Sequence, residues 1–163
     1  MSLLDIHVLG SPVLRKETRP VTEFDDSLRT LIDDMFETMY VAKGIGLAAP
    51  QVGRLERVAV IDVDDKPLVI VNPEIIEAEG TAKGEEGCLS IPEIYADVER
   101  PKACRVRWQD LDGNVHEEEM EGLMATCIQH EMDHLEGVLF IDYLSRLKRQ
   151  MVLKKLQKLR QAA

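Results

Sequence analysis

Apolar residues recur at helical spacing in three stretches of the chain. In the first, residues 25–44, they follow the i, i+3, i+4, i+7 pattern of an amphipathic helix, with Asp25 or Asp26 as the candidate N-cap. The second stretch, 123–134, and the third, about 144–160, repeat this period, and a glycine follows each of the first two. The pattern therefore predicts an N-terminal amphipathic helix, a helix late in the chain and a C-terminal helix.

Between residues 57 and 120 the apolar pattern changes to short runs that are typical of β-strands. Turn residues separate these runs, notably Asp112-Gly113, which favours a tight hairpin turn. Strands grouped in the middle with helices outside them predict an α+β fold, in which mainly antiparallel sheets pack around the central helix 123–134. The four predicted strands are residues 58–63, 68–72, 103–109 and 115–120.

Length and composition limit the class of protein. With 163 residues, 45% of them hydrophobic, the chain is long enough for a single domain, 1–163, and it shows no linker at which to divide it. No uninterrupted apolar run exceeds four residues, whereas a membrane span needs roughly 20, so we expect no membrane segment. The first residues lack the pattern of a targeting signal and the three cysteines are widely spaced, which favours a reduced, cytoplasmic location.

Charge is unevenly distributed along the chain. The 20 basic and 30 acidic residues give a net charge of −10, which disfavours direct, sequence-specific binding of nucleic acid. Residues 146–163, however, hold seven basic residues and no acidic one, with apolar residues at roughly helical spacing. Such a basic amphipathic helix is most often a terminal helix packed on the core. The more specific alternative is that this helix contacts a partner that contains nucleic acid.

The strongest chemical signal is the sequence HEMDH at residues 130–134. On a helix, His130 and His134 stand one turn apart on the same face, so their two imidazoles can bind a single metal ion. Glu131 lies beside them, where its carboxylate can reach a water on the metal. The alternative interpretation, a chance match, is disfavoured because the motif falls on a predicted helix.

A third metal ligand has to come from elsewhere in the chain. The extended HExxH motifs of zinc peptidases do not match this chain. Phe140 occupies the position of the third histidine in the longer motif, and Asp142 is only a weak acidic candidate for a third ligand. Cys127 lies too far along the helix from the second histidine and is interpreted as a buried residue, as is Cys104. Cys88 lies in the segment EGCLS, which has no strand periodicity, and its thiolate would complete a Cys-His-His site with a fourth position open to water.

The segment GIGLAAPQVG at residues 44–53 is also unusual. Its glycines, its alanines and Pro50 make a regular helix or strand poor, so we expect extended chain that passes close to another group. The side-chain amide of Gln51 could donate a hydrogen bond to a developing oxyanion beside the metal. A tightly packed loop with Gln51 in solvent fits this segment equally well.

Taken together, GIGLAAPQ, EGCLS and QHEMDH resemble, in this order and spacing, the peptide deformylase family, and the similarity covers essentially the whole chain. The resemblance implies a metal-dependent hydrolase that removes the formyl group from the N-terminal formyl-methionine of nascent polypeptides and releases formate. A zinc-dependent peptidase of the HExxH type is the alternative. A non-enzymatic adapter with a structural metal is disfavoured, because a fourth protein ligand is not found in the sequence.

The resemblance also implies a role for each site residue. Glu131 would act as the general acid and base, while Gln51 and the backbone N–H of Leu89 would stabilise the oxyanion. The peptide would lie along Gly44–Gly46 as an added strand, and the methionine side chain would enter an apolar pocket. The metal ligands would be Cys88, His130 and His134, and the substrate-binding residues would be Gly44, Ile45, Gly46, Leu123 and Cys127.

The cofactor and the partner follow from the same resemblance. One divalent metal ion is expected, with Fe(II) favoured in the cell and Zn(II), Ni(II) or Co(II) as substitutes that a Cys-His-His donor set accepts. Glu86 and Arg100 could form an ion pair behind the Cys88 loop, with two solvated charges as the alternative. The C-terminal helix is expected to contact the ribosome near the exit tunnel, where nascent peptides emerge.

Overall fold

Three α-helices and two antiparallel sheets make up residues 2–162, the part of the chain that the computed structural model describes. This architecture confirms the predicted α+β class with antiparallel sheets; residues 1 and 163 of the predicted domain lie outside the described residues. The helices are α1 (Asp26–Val41), α2 (Gly122–Leu135) and α3 (Arg146–Ala162), and short 3-10 turns lie at Pro12–Arg15, Ala49–Val52 and Phe140–Tyr143. The strands are β1 (Gly46–Ala48), β2 (Val58–Val63), β3 (Lys66–Glu79), β4 (Ala82–Cys88), β5 (Ile91–Arg100), β6 (Ala103–Gln109) and β7 (Val115–Glu121).

The strands form two separate sheets. The larger sheet has the order β1-β2-β3-β6-β7, the smaller one is the hairpin β4-β5, and every neighbouring pair is antiparallel. The four predicted strands are present, but the hairpin β4-β5 is missing from the prediction. The sequence of β4, AKGEEGC, explains this omission, because two glycines and two glutamates leave it without the apolar alternation of a strand.

The glycine-rich segment 44–53 does form regular structure, so the expectation that it would not is wrong. Gly46–Ala48 pairs with β2 as the edge strand β1, and the 3-10 turn Ala49–Val52 follows it directly. Leu47 is fully buried, together with Ala48 and Ala49. Small side chains let this short strand pack closely in the core, and pairing with β2 offsets its poor intrinsic preference.

Helix α1 packs its apolar face in a core cluster with β1 and β2. The Oδ1 atom of Asp25 accepts a hydrogen bond from the backbone N–H of Leu28 at 3.1 Å, so Asp25 is the N-cap. The helix ends at Val41, three residues before the expected glycine stop at Gly44. Its buried apolar residues are Leu28, Leu31, Ile32, Met35 and Met39.

Helix α2 is the most buried helix and contacts both sheets. One side packs in a core cluster with residues of β2, β3 and β6, and the other side reaches the hairpin through His130 and Asp133. After the helix the chain turns at Gly137, which has a φ of +75°. A Cβ atom at this position would lie 2.6 Å from the carbonyl oxygen of Arg15, so only glycine fits there.

Helix α3 is largely exposed. It begins at Arg146, two residues after the predicted start, and packs on the hairpin side of the protein through the buried Leu156. Leu147, Met151 and Leu153 are exposed apolar residues of this helix. None of the helices in the described part of the chain is long and apolar enough to cross a membrane.

Candidate metal centre

Three predicted ligands meet at one point of the structure. The donor atoms of Cys88, His130 and His134 all lie within 4.8 Å of one another, and the Cys88 Sγ atom is 3.3 Å from the Nε2 atom of His134. The two histidines lie one turn apart on α2, as the motif predicts. Cys88 comes from the last position of β4, where an irregularity in the strand pairing between Gly87 and Cys88 changes the register.

The chemistry of this donor set fits a divalent metal ion. The Nδ1 atom of His130 is hydrogen-bonded to Glu86 Oε1 at 2.9 Å, an arrangement that orients metal-binding imidazoles in other proteins and leaves Nε2 available. Burial lowers the pKa of His134 well below its ordinary value, so its imidazole is in the neutral form that binds metals. Within residues 2–162, a fourth side-chain donor does not join the group.

Two other candidate ligands take different positions. Asp142 forms an ion pair with Arg15 at 2.7 Å and accepts a hydrogen bond from the Leu139 backbone N–H at 3.1 Å, so its role as a third ligand is wrong. Burial raises the pKa of Cys127 to about 12, which keeps this thiol protonated and unsuited to bind a metal. The interpretation of Cys127 as a buried residue is confirmed.

Glu131 is a buried carboxylate beside the three donors. Its Oε1 atom is without a hydrogen-bond partner among the described residues, and burial raises its pKa to about 7. Room for this side chain depends on Gly46 in β1, because a Cβ atom at Gly46 would lie 2.9 Å from Glu131 Cδ. An unpartnered carboxylate with a pKa near neutrality is suited to take up and release a proton.

Gln51 is buried, so the alternative that placed it in solvent is wrong. Its Oε1 atom accepts a hydrogen bond from the Ala48 backbone N–H at 2.9 Å. Its Nε2 atom donates to Ser90 Oγ at 3.1 Å and lies 3.5 Å from Cys88 Sγ. These contacts direct the amide N–H groups of Gln51 towards the loop that carries Cys88 and Leu89.

A cavity of about 450 Å³ brings most of the predicted site residues together. Ile45 and Leu123 are half exposed at its rim, and Cys127 lies deeper. His134 is the one predicted site residue that does not line it. The cavity is lined by Gly44, Ile45, Gly46, Gln51, Cys88, Leu89, Leu123, Cys127, His130 and Glu131, together with residues that the sequence analysis did not single out, among them Pro92, Glu93, Tyr95 and Thr126.

A buried cluster of charged residues contacts the metal centre through the hydrogen bond between Glu86 and His130. Arg100 donates to both carboxylate oxygens of Glu86, at 2.6 and 2.9 Å, which confirms the ion pair over the solvated alternative. Arg100 also donates to Asp133 at 2.8 Å, and the Tyr143 hydroxyl donates to the same carboxylate at 2.8 Å. Neither Asp133 nor Tyr143 was predicted from the sequence, although Asp133 lies inside the HEMDH motif, which was a signal for it.

Comparison with known proteins places this arrangement in a family. The sequence model described as polypeptide deformylase matches residues 3–150. The peptide deformylase of Novosphingobium aromaticivorans is 57% identical over the whole of both chains. A crystal structure of a peptide deformylase from Legionella pneumophila has a TM-score of 0.95 and 48% identity, covering 99% of this chain and 97% of that one. The peptide deformylase from Ehrlichia chaffeensis in complex with actinonin has a TM-score of 0.94 at 38% identity, with 97% and 98% coverage.

Proposed function

Because this chain belongs to the polypeptide deformylase family of metallohydrolases, we propose that it removes the formyl group from the N-terminal formyl-methionine of nascent polypeptides and releases formate. The observation that carries the proposal is the convergence of Cys88, Glu131 and Gln51 on one cavity, with two histidines beside the thiol. The assignment of residues 1–163 to one catalytic domain, and of that domain to the cytoplasm, stays a prediction.

In this proposal Cys88, His130 and His134 hold one divalent metal ion, Fe(II) in the cell, for which Zn(II), Ni(II) or Co(II) can substitute. When bound, such an ion lowers the pKa of a water molecule to roughly 7 and polarises a carbonyl oxygen. Glu86 fixes the orientation of the His130 ring through the hydrogen bond to Nδ1. The protein thus supplies an ordered set of three donors.

Glu131 performs both proton transfers. Its carboxylate accepts a proton from the attacking water as the oxygen bonds to the formyl carbon, and it delivers that proton to the amine nitrogen as the C–N bond breaks. The raised pKa of Glu131, about 7 because of burial, suits a group that must gain and lose a proton in one cycle. The products are formate and a peptide with a free α-amino group.

Gln51 and Leu89 bind the oxygen that becomes negatively charged during the attack. Gln51 and Leu89 both line the cavity, and the Nε2 atom of Gln51 lies 3.5 Å from Cys88 Sγ. Hydrogen bonds that strengthen as the charge develops favour the transition state over the substrate. Because Ala48 and Ser90 hold the Gln51 amide, little reorganisation is needed when the oxyanion forms.

In this proposal the substrate peptide pairs with residues Gly44–Gly46, which lead into strand β1. β1 is an edge strand of the larger sheet, so the side that faces away from β2 is free to accept an extended peptide through main-chain hydrogen bonds. The methionine side chain then enters the cavity between Ile45, Leu123 and Cys127. Main-chain pairing along Gly44–Gly46 accommodates varied second and third residues.

The test is release of formate from formyl-Met-Ala-Ser by anaerobically purified, metal-analysed protein. We expect turnover by the unaltered chain, and a loss of at least about 100-fold in Glu131→Gln with an unchanged metal content. A protein that carries the metal and produces no formate would overturn the proposal. Cleavage of an internal peptide bond would instead favour the zinc peptidase, an alternative that neither the family match nor the relatives support.

The proposed ribosome contact through α3 rests on the charge of this helix and its exposed apolar residues, Leu147 and Met151. Replacing the exposed Lys154, Lys155 and Lys158 with glutamine preserves the buried Leu156 that anchors the helix. We expect weaker co-sedimentation with ribosomes and a weaker dependence on salt. The matched control replaces three exposed lysines outside the helix, at positions 66, 83 and 102, and an equal effect of both sets would contradict a specific contact.

A further inference from the structure

The segment His7–Thr18 is here called the N-terminal strap. It contacts the protein in or next to each of the three sequence motifs, GIGLAAPQ, EGCLS and QHEMDH. It contributes no residue to the lining of the cavity. Given the proposed function, we propose that the strap is a positioning element of the active site, which holds the loops carrying Gln51 and Leu89 at the distance needed to bind the oxyanion. In this role the residues of the strap act through Gln51 and Leu89 and do not touch the substrate.

Two backbone hydrogen bonds of the strap reach the oxyanion side of the site. The His7 N–H donates to the carbonyl oxygen of Gln51 at 2.7 Å, and the Leu9 N–H donates to the carbonyl oxygen of Ser90 at 2.8 Å. Ser90 follows Leu89 directly in the chain. The strap therefore bonds to the very residue that supplies one oxyanion donor and to the neighbour of the residue that supplies the other.

These two bonds connect parts of the protein that belong to different sheets. Gln51 lies in the 3-10 turn after β1 of the larger sheet, whereas Ser90 lies between β4 and β5 of the hairpin. Between these two loops the Gln51 Nε2 group also donates to Ser90 Oγ. The relative position of the two oxyanion donors thus depends on contacts across a gap between sheets, and the strap spans this gap with its backbone.

The strap is anchored a third time beside the metal-binding helix. Both the N–H and the hydroxyl of Thr18 donate to the carbonyl oxygen of Leu135, each at 2.9 Å, one residue after the ligand His134. Arg15 forms the ion pair with Asp142, and its carbonyl oxygen lies against Gly137 so closely that a Cβ atom would not fit. The strap is therefore fixed to α2 at one end and to the two loops at the other.

Small displacements of these loops matter for catalysis. An oxyanion donor acts at about 2.7 to 3.1 Å from the oxygen, and a shift of about 1 Å can lower a rate roughly 100-fold. The oxyanion is absent from the bound substrate and develops as the water attacks, so a displaced donor lowers kcat and leaves ground-state binding of the peptide nearly unchanged. This difference separates a positioning role from a merely structural one.

The turn at residues 8–11 has a backbone geometry that accepts proline at position 9, so the Leu9 hydrogen bond can be removed without straining the turn itself. The Ser11 N–H donates to the Val8 carbonyl at 3.0 Å, Gly10 has a φ of +109°, and Leu9 is not among the residues with positive φ. This is a type II turn with Leu9 at its second position, where proline is favoured. Leu9→Pro therefore deletes the N–H donor and places the ring Cδ atom against the Ser90 carbonyl oxygen, which pushes this loop away from the strap. Leu9→Ala is the matched control for the lost side chain, which packs on the hairpin cluster.

We expect kcat for formyl-Met-Ala-Ser to fall about tenfold in Leu9→Pro relative to Leu9→Ala, with KM and bound metal unchanged. In a Gln51→Ala background the same change should lower kcat by a smaller factor, because the Gln51 amide that bonds to Ser90 Oγ is already absent and only the Leu89 N–H remains to be displaced. An equal loss in both backgrounds, or equal kcat in Leu9→Pro and Leu9→Ala, would overturn the positioning role.

Amide hydrogen exchange tests the strap independently of the reaction. Leu9→Pro should accelerate exchange in residues 48–53 and 88–92 relative to Leu9→Ala, and exchange in α1, remote from the strap contacts, should stay the same. If the unaltered chain releases no formate and the exchange result holds, the proposed function fails while the strap contact stands. If formate is released and exchange in both loops is unchanged, the strap proposal fails alone.

Discussion

Two groups of arginine and glutamate residues in this protein have the same chemistry and different surroundings. In the Arg100 cluster, which joins Arg100 to Glu86, Asp133 and Tyr143, the side chains of Arg100 and Glu86 are only 6% and 5% exposed. In the strand cluster, where Arg105 and Arg107 of β6 pair with Glu117 of β7 and Glu74 of β3, the Arg107 and Glu117 side chains are 47% and 31% exposed.

Burial decides what each cluster contributes. Burial alone would raise the pKa of Glu86, but hydrogen bonds from His130 and Arg100 outweigh it and hold this pKa below its ordinary value. Removing one partner from such a cluster leaves an uncompensated charge in a dry environment. In the strand cluster, water and salt replace a lost partner, so each pair contributes little. The Arg100 cluster therefore fixes the position of His130 through Glu86, whereas the strand cluster forms exposed ion pairs on the surface of the sheet.

The largest effect is expected for Arg100→Met. The change leaves Glu86 and Asp133 without the guanidinium that neutralises them, so we expect the free energy of unfolding to fall by about 3 to 5 kcal/mol. Urea unfolding at a fixed metal concentration measures it. A loss below about 1 kcal/mol would remove the distinction between the two clusters, since exposed pairs show values of that size.

A smaller effect is expected for Glu86→Gln, which keeps an oxygen that can accept the His130 Nδ1–H bond and removes the charge. We expect the affinity for the metal to fall about 10- to 100-fold, because hydrogen-bonded partners of ligands tune their basicity. Competition with a chelator measures this affinity. The adjacent, exposed Glu85→Gln carries the same charge change without the contact, and an equal loss there would assign the effect to net charge.

Tyr143→Phe tests the outer edge of the Arg100 cluster. The hydroxyl donor to Asp133 is lost, while the ring, whose centroid lies 4.9 Å from Arg100 Cζ, remains. We expect the free energy of unfolding to fall by about 1 kcal/mol, the ordinary contribution of one hydrogen bond. Tyr95→Phe at an exposed position is the control, and a similar decrease in both variants would argue against a role for the Asp133 contact.

The smallest effect is expected for Arg107→Ala in the strand cluster. Its bonds to Glu74 and Glu117 lie in solvent, so we expect no measurable change in the unfolding midpoint, in metal affinity or in formate release. Thermal unfolding at low and at high salt provides the check. A clear decrease in the midpoint, suppressed by salt, would show that the strand cluster stabilises the sheet after all.

The sequence predicts best those features that depend on local pattern. Helix α1 and its N-cap Asp25 follow from the apolar period and a capping residue, and the ligand pair on α2 follows from its spacing of four residues. Two features that depend on distant partners were not predicted from the local pattern. The burial of Gln51 requires Ser90 from another sheet, and the role of Asp133 requires Arg100, which is 33 residues away.

The hairpin β4-β5 shows a further limit of sequence patterns. Pro92 near the start of β5 and the positive φ of Glu93 interrupt the alternation expected of a strand, which becomes regular only from Ile94 onward. Pairing with β4 and packing against Phe140 and Leu156 stabilise the hairpin instead. Patterns within a single segment do not predict a strand that is stabilised by such tertiary contacts.

The larger sheet ends in two unlike edges, and this has a consequence for self-association. Unpaired strand edges invite pairing between copies of a protein, which leads to aggregation. Strand β7 carries four glutamates, whose mutual repulsion discourages such pairing. Strand β1 is only three residues long and is followed at once by a 3-10 turn with Pro50. An edge this short offers few main-chain bonds, so a second copy of the chain finds too little edge to nucleate a fibre.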